Sequence, residues 1–227
     1  MKSIIFLMIS AVSLVSAQTK AIPIEDVDQF LFQGNGELVI QQGSSSEVVL
    51  EGSEKELQGA SVFISDHMLV VKEKRGFLDF FRSRPSNLKC TVTLQDLTSL
   101  TLEGGSRVKI DGFKVHDLTA IVRDNAELNM DIQGNSLALY LIRDGEVTAS
   151  GHVGNQNILI SDGGLYRASD LSSEACEIVL EGSGVAYVQA TETLDATITS
   201  SGVINYSGSP RKIQSNITGT GQLLLKQ

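Results

Sequence analysis

The sequence predicts an all-β chain: a right-handed β-helix or solenoid of about seven 19-residue rungs with an N-terminal β cap. Three observations predict it: a repeated strand–turn–strand unit, the chemistry of its turns, and the near absence of helical signals.

The unit is h-x-h, a short polar or glycine-rich turn, then h-x-h, where h is apolar. Its copies begin Leu100-Leu102…Val108-Ile110, Ala120-Val122…Leu128-Met130, Leu139-Leu141…Val147-Ala149 and Ile158-Ile160…Tyr166-Ala168. They continue Ile178-Leu180…Ala186-Val188, Ala196-Ile198…Ile204-Tyr206 and Ser215-Ile217…Leu223-Leu225. The anchors 102, 122, 141, 160, 180, 198 and 217 are spaced by 20, 19, 19, 20, 18 and 19, and the second h always precedes the third by six positions. Alternation at period two places each h on one face of a strand. One such unit has too few apolar groups to bury its own face, so the units must stack.

The turns carry Gly104-Gly105, Asp124-Asn125, Asp144-Gly145, Asp162-Gly163-Gly164, Gly182-Ser183-Gly184, Ser201-Gly202 and Gly219-Thr220-Gly221. These residues tolerate positive φ or hydrogen-bond their own backbone. None of the glycine triplets opens a helix, and no phosphate loop, dinucleotide fingerprint or nucleophile elbow is present.

Ahead of the repeats, Met1 to Ala17 combine Lys2, an apolar run from Ile4 to Val15 and a small-residue ending at Ala17. This is the pattern of a secretory signal peptide over 1–17, too short to be retained as a spanning helix. The mature chain is then 227 − 17 = 210 residues, read as one domain over 18–227. Residues 18–95 are the N-terminal β cap or sheet region, and 96–227 the regular array. Export places the protein in the periplasm, on the outer surface or outside the cell.

The cap region holds further strands around Phe32–Ile40, Val48–Gly52 and Val62–Val71, then breaks in a loop over 72–88. That loop contains Phe77, Leu78, Phe80 and Phe81 among Lys and Arg, a composition enriched at contact sites. It folds back as a lid, or it is an exposed contact site.

Charge and cysteine content exclude several classes. Removing Lys2 leaves 17 basic against 27 acidic residues, so the mature chain carries about −10 and no basic cluster suited to nucleic acid or anionic lipid. No later apolar run suits membrane insertion. Cys90 and Cys176 lie 86 residues apart, about four repeats. Strands ~4.8 Å apart then separate them well beyond the ~7 Å that a disulfide allows, so both are expected as free buried thiols.

Catalytic and metal constellations are thin. His67, His116 and His152 fall in separate units, and no catalytic residue, metal site or cofactor is assigned. Asp124, Asp144 and Asp162 occupy neighbouring turns and are the candidates for a carboxylate pair or calcium site, as in polysaccharide-degrading β-helices. Aspartate is also simply a good turn residue, and Arg123 and Arg143 would neutralise the column.

More informative is the outward position of each first strand: Thr101, Ile121, Tyr140, Leu159, Val179, Thr197 and Asn216. Ile121, Tyr140, Leu159 and Val179 form an apolar stripe, the candidate contact surface together with the Phe77–Phe81 loop. The stripe is covered by the N-terminal half, buried in self-association, or used for a partner.

The turns Glu181-Gly182-Ser183-Gly184, Ser200-Ser201-Gly202 and Thr218-Gly219-Thr220-Gly221, with Tyr206-Ser207-Gly208-Ser209-Pro210, resemble the serine–glycine repeats of the autotransporter adhesin head GIN domain family. The resemblance covers roughly 27–221 and implies a β-helical fold, an exported bacterial protein of the Bacteroidetes type and an adhesin role, with no catalytic residues to carry over. The earlier turns depart from the pattern at Arg123-Asp124-Asn125 and Arg143-Asp144-Gly145. The chain ends at Gln227 without a translocator barrel, so a complete autotransporter is not expected.

The function expected is a non-enzymatic cell-surface or periplasmic binding module whose partner is a protein or a glycan. The alternatives are a polysaccharide-degrading enzyme using turn carboxylates and a structural homo-oligomer.

Overall fold

The computed structural model describes residues 18–73 and 88–226. Residues 1–17, which the sequence reads as a signal peptide, and most of the aromatic loop, with Phe77, Leu78, Phe80 and Phe81, lie outside the described residues. The described residues are 73% strand and 3% helix and form a β-solenoid of about seven turns with rungs about 19 residues apart.

The first repeat is β8 (Ser99–Glu103) followed by β9 (Arg107–Lys114), and the second starts with β10 (Asp117–Arg123). From there the strands bend round the corners without ending: β11 spans Glu127–Ile142, β12 Glu146–Asp162, β13 Leu165–Gly182 and β14 Val185–Ile198. β15 (Val203–Gly208), β16 (Lys212–Ile217) and β17 (Gln222–Leu225) complete the last turns. The first strand of each repeat lies on one face, here face 1, and the second on face 2; a bulged third side returns the chain to face 1.

Every rung pairs in parallel with the next in near-constant register: Leu100 beside Ala120, Ala120 beside Leu139, Leu139 beside Ile158 and Ile158 beside Ile178. The ladder satisfies the backbone polar groups, and the inward alternation stacks like on like into a continuous core. That core is nearly all apolar and runs from Phe30 and Phe32 to Ile198 and Ile204.

Part of the N-terminal region is itself solenoid. β2 (Gln29–Gln33) and β3 (Glu37–Gln42) pair in parallel with β8 and β9. β6 (Met68–Glu73) and β7 (Lys89–Leu94) pair in parallel with the other edges of β2 and β3. So the rung that comes later in sequence is the outer one, and the aromatic loop is an insertion in its turn. The end is closed by antiparallel strands: β5 (Ala60–Ser65) on β6, β4 (Glu47–Gly52) on β7, and β1 (Gln18–Pro23) on β4.

Between β4 and β5 runs α1 (Glu54–Gly59), a helix the strand-dominated reading leaves out. It begins in a capping box: the Glu56 N–H donates to Ser53 Oγ at 3.4 Å and the Ser53 N–H donates to Glu56 Oε2 at 2.8 Å. Leu57 is its one apolar residue packed against the core.

The fixed six-residue step across each turn has a packing cause. Two positions before every third h stands a small residue: Gly36, Ser106, Ala126, Gly145, Gly164, Gly184, Gly202 and Gly221. These stack as their own column through N–H···O=C bonds such as Glu146 N–H to Ala126 O at 2.9 Å and Leu165 N–H to Gly145 O at 3.0 Å. Their φ is ordinary at Gly145, Gly164 and Gly184, so the demand is steric. A Cβ on Gly145 would lie 2.8 Å from Leu141 Cδ1, and one on Gly184 would lie 2.9 Å from Ile160 Cγ2. The corner is pinched until leucine and isoleucine of the rungs fill it.

One polar network interrupts the core. The Tyr166 hydroxyl donates to Gln156 Oε1 at 2.8 Å, Gln156 Nε2 donates to Ser173 Oγ at 3.0 Å, and Ser173 Oγ donates to Gln189 O at 2.8 Å. Tyr166, Gln156 and Ser173 are all buried, and burial holds the Tyr166 phenol well above its ordinary range. The hydroxyl of an inward tyrosine needs a partner, and Gln156 supplies it from the third side of the coil.

Cys90 and Cys176 are free and buried, and burial pushes both thiols up to about 12. The column Cys90, Leu38, Val108, Leu128, Val147, Tyr166 places five strand spacings between Cys90 and the start of the strand that holds Cys176. That is about 24 Å at ~4.8 Å per strand.

Three outcomes follow from this packing. Gly184→Val lowers stability by about 1–3 kcal/mol through overpacking, whereas Ala126→Gly, in the same column, costs about 1 kcal/mol or less; urea midpoints at constant slope measure both. Gln156→Leu and Tyr166→Phe each cost about 1–3 kcal/mol by orphaning the other's polar group, and the double variant costs less than their sum. Both thiols keep their protons in the fold beyond the unfolded value of 9.0. They therefore add no pH dependence below that value, and stability falls as pH rises from about 9 towards 12. Unfolding curves show this alkaline slope reduced in a Cys90→Ala/Cys176→Ala chain.

Candidate functional site

The outer faces carry the chemistry that the solenoid presents. On face 1 the central outward column reads Phe63, Val70, Leu31, Thr101, Ile121, Tyr140, Leu159, Val179, Thr197 and Asn216 in spatial order. The structure thus brings Ile121, Tyr140, Leu159 and Val179 together on consecutive strands. Beyond the buried Thr101 the same column continues through Leu31 and the buried Val70 to the exposed Phe63. These N-terminal residues are out of sequence order, which hides them from a reading of the repeats alone.

From Phe63 to Thr197 the column crosses eight strand spacings, about 38 Å at ~4.8 Å per strand. Its exposure peaks at Phe63 (45%) and Tyr140 (41%), while Ile121, Leu159 and Val179 are half-buried by their neighbours in the sheet. The N-terminal strands join this sheet edge to edge and do not lie across it. Around Tyr140, the same strand adds Ala138 and Ile142, so the apolar surface is widest there. On either side run columns that are polar except at Ala138 and Ile142: Gln29, Ser99, Thr119 and Asn157 on one flank and Gln33, Glu103, Arg123 and Ser161 on the other.

Face 2 divides along its length. Near the N-terminal rungs a depression of about 470 Å³ is lined by Glu37, Val39, Arg107, Lys109, Glu127, Asn129, Glu146 and Thr148. Three acids and one base share a column here: Glu37, Arg107, Glu127 and Glu146 on successive strands. Arg107 Nε lies 3.6 Å from Glu127 Oε2, and Arg167 on the next rung pairs with Glu146. Nearer the C-terminus the same columns become Leu165, Val185 and Val203, beside Tyr187 with Lys226 5.1 Å over its ring. Sequence reasoning passes over the depression because its residues are spread over four strands from 37 to 148.

The turn carboxylates sit along one corner. Asp124, with φ +62°, is paired with Arg143 of the next rung, and Asp162 also takes a left-handed backbone at φ +66°. These are the conformations for which aspartate and asparagine are selected in turns. Among the described residues no three His, Cys, Asp or Glu side chains converge as a metal site. His67 Nδ1 meets Asp26 O at 2.8 Å, His116 meets Asn135, and His152 meets Ser172, each at a separate exposed place. Among the described residues no helix is long and apolar enough to cross a membrane.

The fold recurs in solved structures of low sequence identity. A "putative adhesin" from Bacteroides fragilis NCTC 9343 superposes with a TM-score of 0.83 at 18% identity, over 93% of this chain and 97% of that one. A "putative lipid binding protein" from Parabacteroides distasonis ATCC 8503 gives 0.72 at 22% identity, over 93% and 97%. A "putative adhesin" from Parabacteroides merdae ATCC 43184 gives 0.67 at 18%, over 93% and 96%. No curated protein sequence matches the chain. The model of the family described as "Putative auto-transporter adhesin, head GIN domain" matches residues 29–210, which is 182 of the 227. With its repeats, its parallel coil and this match in agreement, the chain belongs to the auto-transporter adhesin head GIN domain family.

Proposed function

We propose that the chain is an exported, non-enzymatic adhesion module that holds a protein partner of a cell surface or periplasm against face 1. The observation that carries this reading is the stripe from Ile121 to Val179 on four consecutive strands. An apolar line with polar columns on both flanks has the anatomy of a protein-binding patch, a dry centre inside a hydrated rim. Tyr140 at its widest point is the kind of anchor on which such interfaces concentrate their energy. Family membership supports an adhesive role, and the leader-like residues 1–17 support export. The corner carboxylates favour a structural role over catalysis, since Asp124 is engaged by Arg143 and both Asp124 and Asp162 occupy strained turn positions.

The depression on face 2 favours a second reading, a glycan bound by the carboxylates and the Asn129 amide around Val39. Such groups hydrogen-bond sugar hydroxyls through their planar ends.

One experiment separates these readings. The mature chain, residues 18–227, is presented to arrays of surface proteins and of glycans, and bound glycans are recovered for mass analysis. Protein capture that falls about tenfold or more in Tyr140→Glu/Leu159→Glu, with an unchanged melting temperature, supports the face 1 reading. Binding of glycans alone, lost in Glu127→Ala/Asn129→Ala and kept in the face 1 variant, overturns it in favour of face 2. Recovered glycans of reduced length overturn the non-enzymatic reading.

A further inference from the structure

The outermost strand of the cap begins where the leader-like stretch ends. β1 starts at Gln18, and the small-residue ending of residues 1–17 is Ala17. In a chain cut after Ala17, the ladder therefore begins at the first residue, with Gln18 opposite Gly52 of β4.

What β1 covers matters to the fold. β4 is held by β7 on one edge and by β1 on the other. It reads Glu-Val-Val-Leu-Glu-Gly with Val48 and Leu50 in the core, and an open edge on such a strand recruits other chains. β1 pairs with β4 alone and carries Lys20 and Pro23, residues that blunt an edge. Ile22 is its one residue packed against the core, so β1 is held mainly by its ladder of six residue pairs. Loss of residues from its first end shortens that ladder and uncovers β4.

Gln18 has the chemistry to close that end. Its side chain is exposed and, among the described residues, makes no hydrogen bond or ion pair. Cutting after Ala17 frees its α-amino group, whose pKa of about 8 leaves roughly a tenth of it unprotonated at pH 7. The neutral amine and the side-chain amide carbon belong to one residue, and their joining closes an unstrained five-membered ring.

We propose that Gln18 is the first residue of the mature protein and is modified to pyroglutamate, which seals β1 against trimming. This rests on export of the chain and its cleavage after Ala17. The α-amino nitrogen bonds to Cδ of its own side chain, and the Cδ–Nε2 bond breaks. Nε2 takes the proton that the amine gives up and leaves as ammonia. The product is a lactam, and nothing else is consumed. Its ring nitrogen keeps one N–H, while the terminal positive charge is lost. Aminopeptidases act on a free α-amine at chain ends, so the closed ring leaves β1 whole.

The test is the intact mass of the product when the full 227-residue chain is expressed in an exporting bacterium. The expected product is residues 18–227 lighter by one ammonia, with the loss located at Gln18 by peptide mapping. Leucine aminopeptidase then leaves it unchanged. In Gln18→Asn the amide is one carbon nearer and could close only a strained four-membered ring, so the amine stays free. That variant is expected to melt like wild type before treatment and to lose β1 residues about tenfold faster or more. Residues 18–227 that keep a free amine after prolonged incubation at neutral pH overturn the proposal and leave export standing. A product cut at another bond, or still carrying residues 1–17, overturns both. A Gln18→Asn chain trimmed no faster than wild type overturns the sealing role.

Discussion

The structure depends on one constraint: each residue must sit on its equivalent one rung away, about 19 positions earlier, in a parallel ladder. A parallel ladder tolerates a slip badly, because shifting by one residue turns every inward side chain outward. The pinched corner enforces the register. With Gly145, Gly164 and Gly184 leaving no room beyond the neighbouring leucine and isoleucine, the distance across each turn is held constant. Irregularity is exported to the third side, where the register shifts between Thr148 and Ser150 and between Arg167 and Ser172. Lengths of 18, 19 and 20 residues therefore coexist in one coil without disturbing faces 1 and 2.

The same constraint explains what was legible in the sequence. The inward columns and the turns recur seven times, so any reading that finds the period finds the coil and most of its core. The β6–β7 rung is hidden because the insertion in its turn moves Cys90 to 19 positions after Val71, where six is the norm. Its place outside β2–β3 is hidden too, since β4 and β5 reverse the chain before it returns. The helix α1 had a local signal in Ser53 and Glu56, the two ends of a capping box, which a search for long amphipathic periods passes over. Gln156 lies on the irregular third side, outside the h positions, and only the packed coil shows it facing Tyr166.

The candidate surface was legible in part for a related reason. Ile121, Tyr140, Leu159 and Val179 are periodic and consecutive, so their stacking could be read directly. Leu31, Val70 and Phe63 belong to the reordered rungs, and their place on the stripe follows only from β5–β6–β2–β8 adjacency. The face 2 depression combines residues from the cap region and three repeats, an arrangement no single repeat announces.

A solenoid separates the demands of folding from those of binding more cleanly than most folds. Inward positions are bound by packing and corner positions by sterics, while outward positions on a flat parallel face are nearly free of both. Thr, Asn, Lys and Arg satisfy the outward slots of face 2 at 148, 129, 109 and 167, so the fold does not require apolar residues there. An apolar side chain in an exposed slot offers the coil little and raises its tendency to associate. Six such residues on one column of face 1, Phe63, Leu31, Ile121, Tyr140, Leu159 and Val179, are therefore better explained by what the face meets than by what the coil needs.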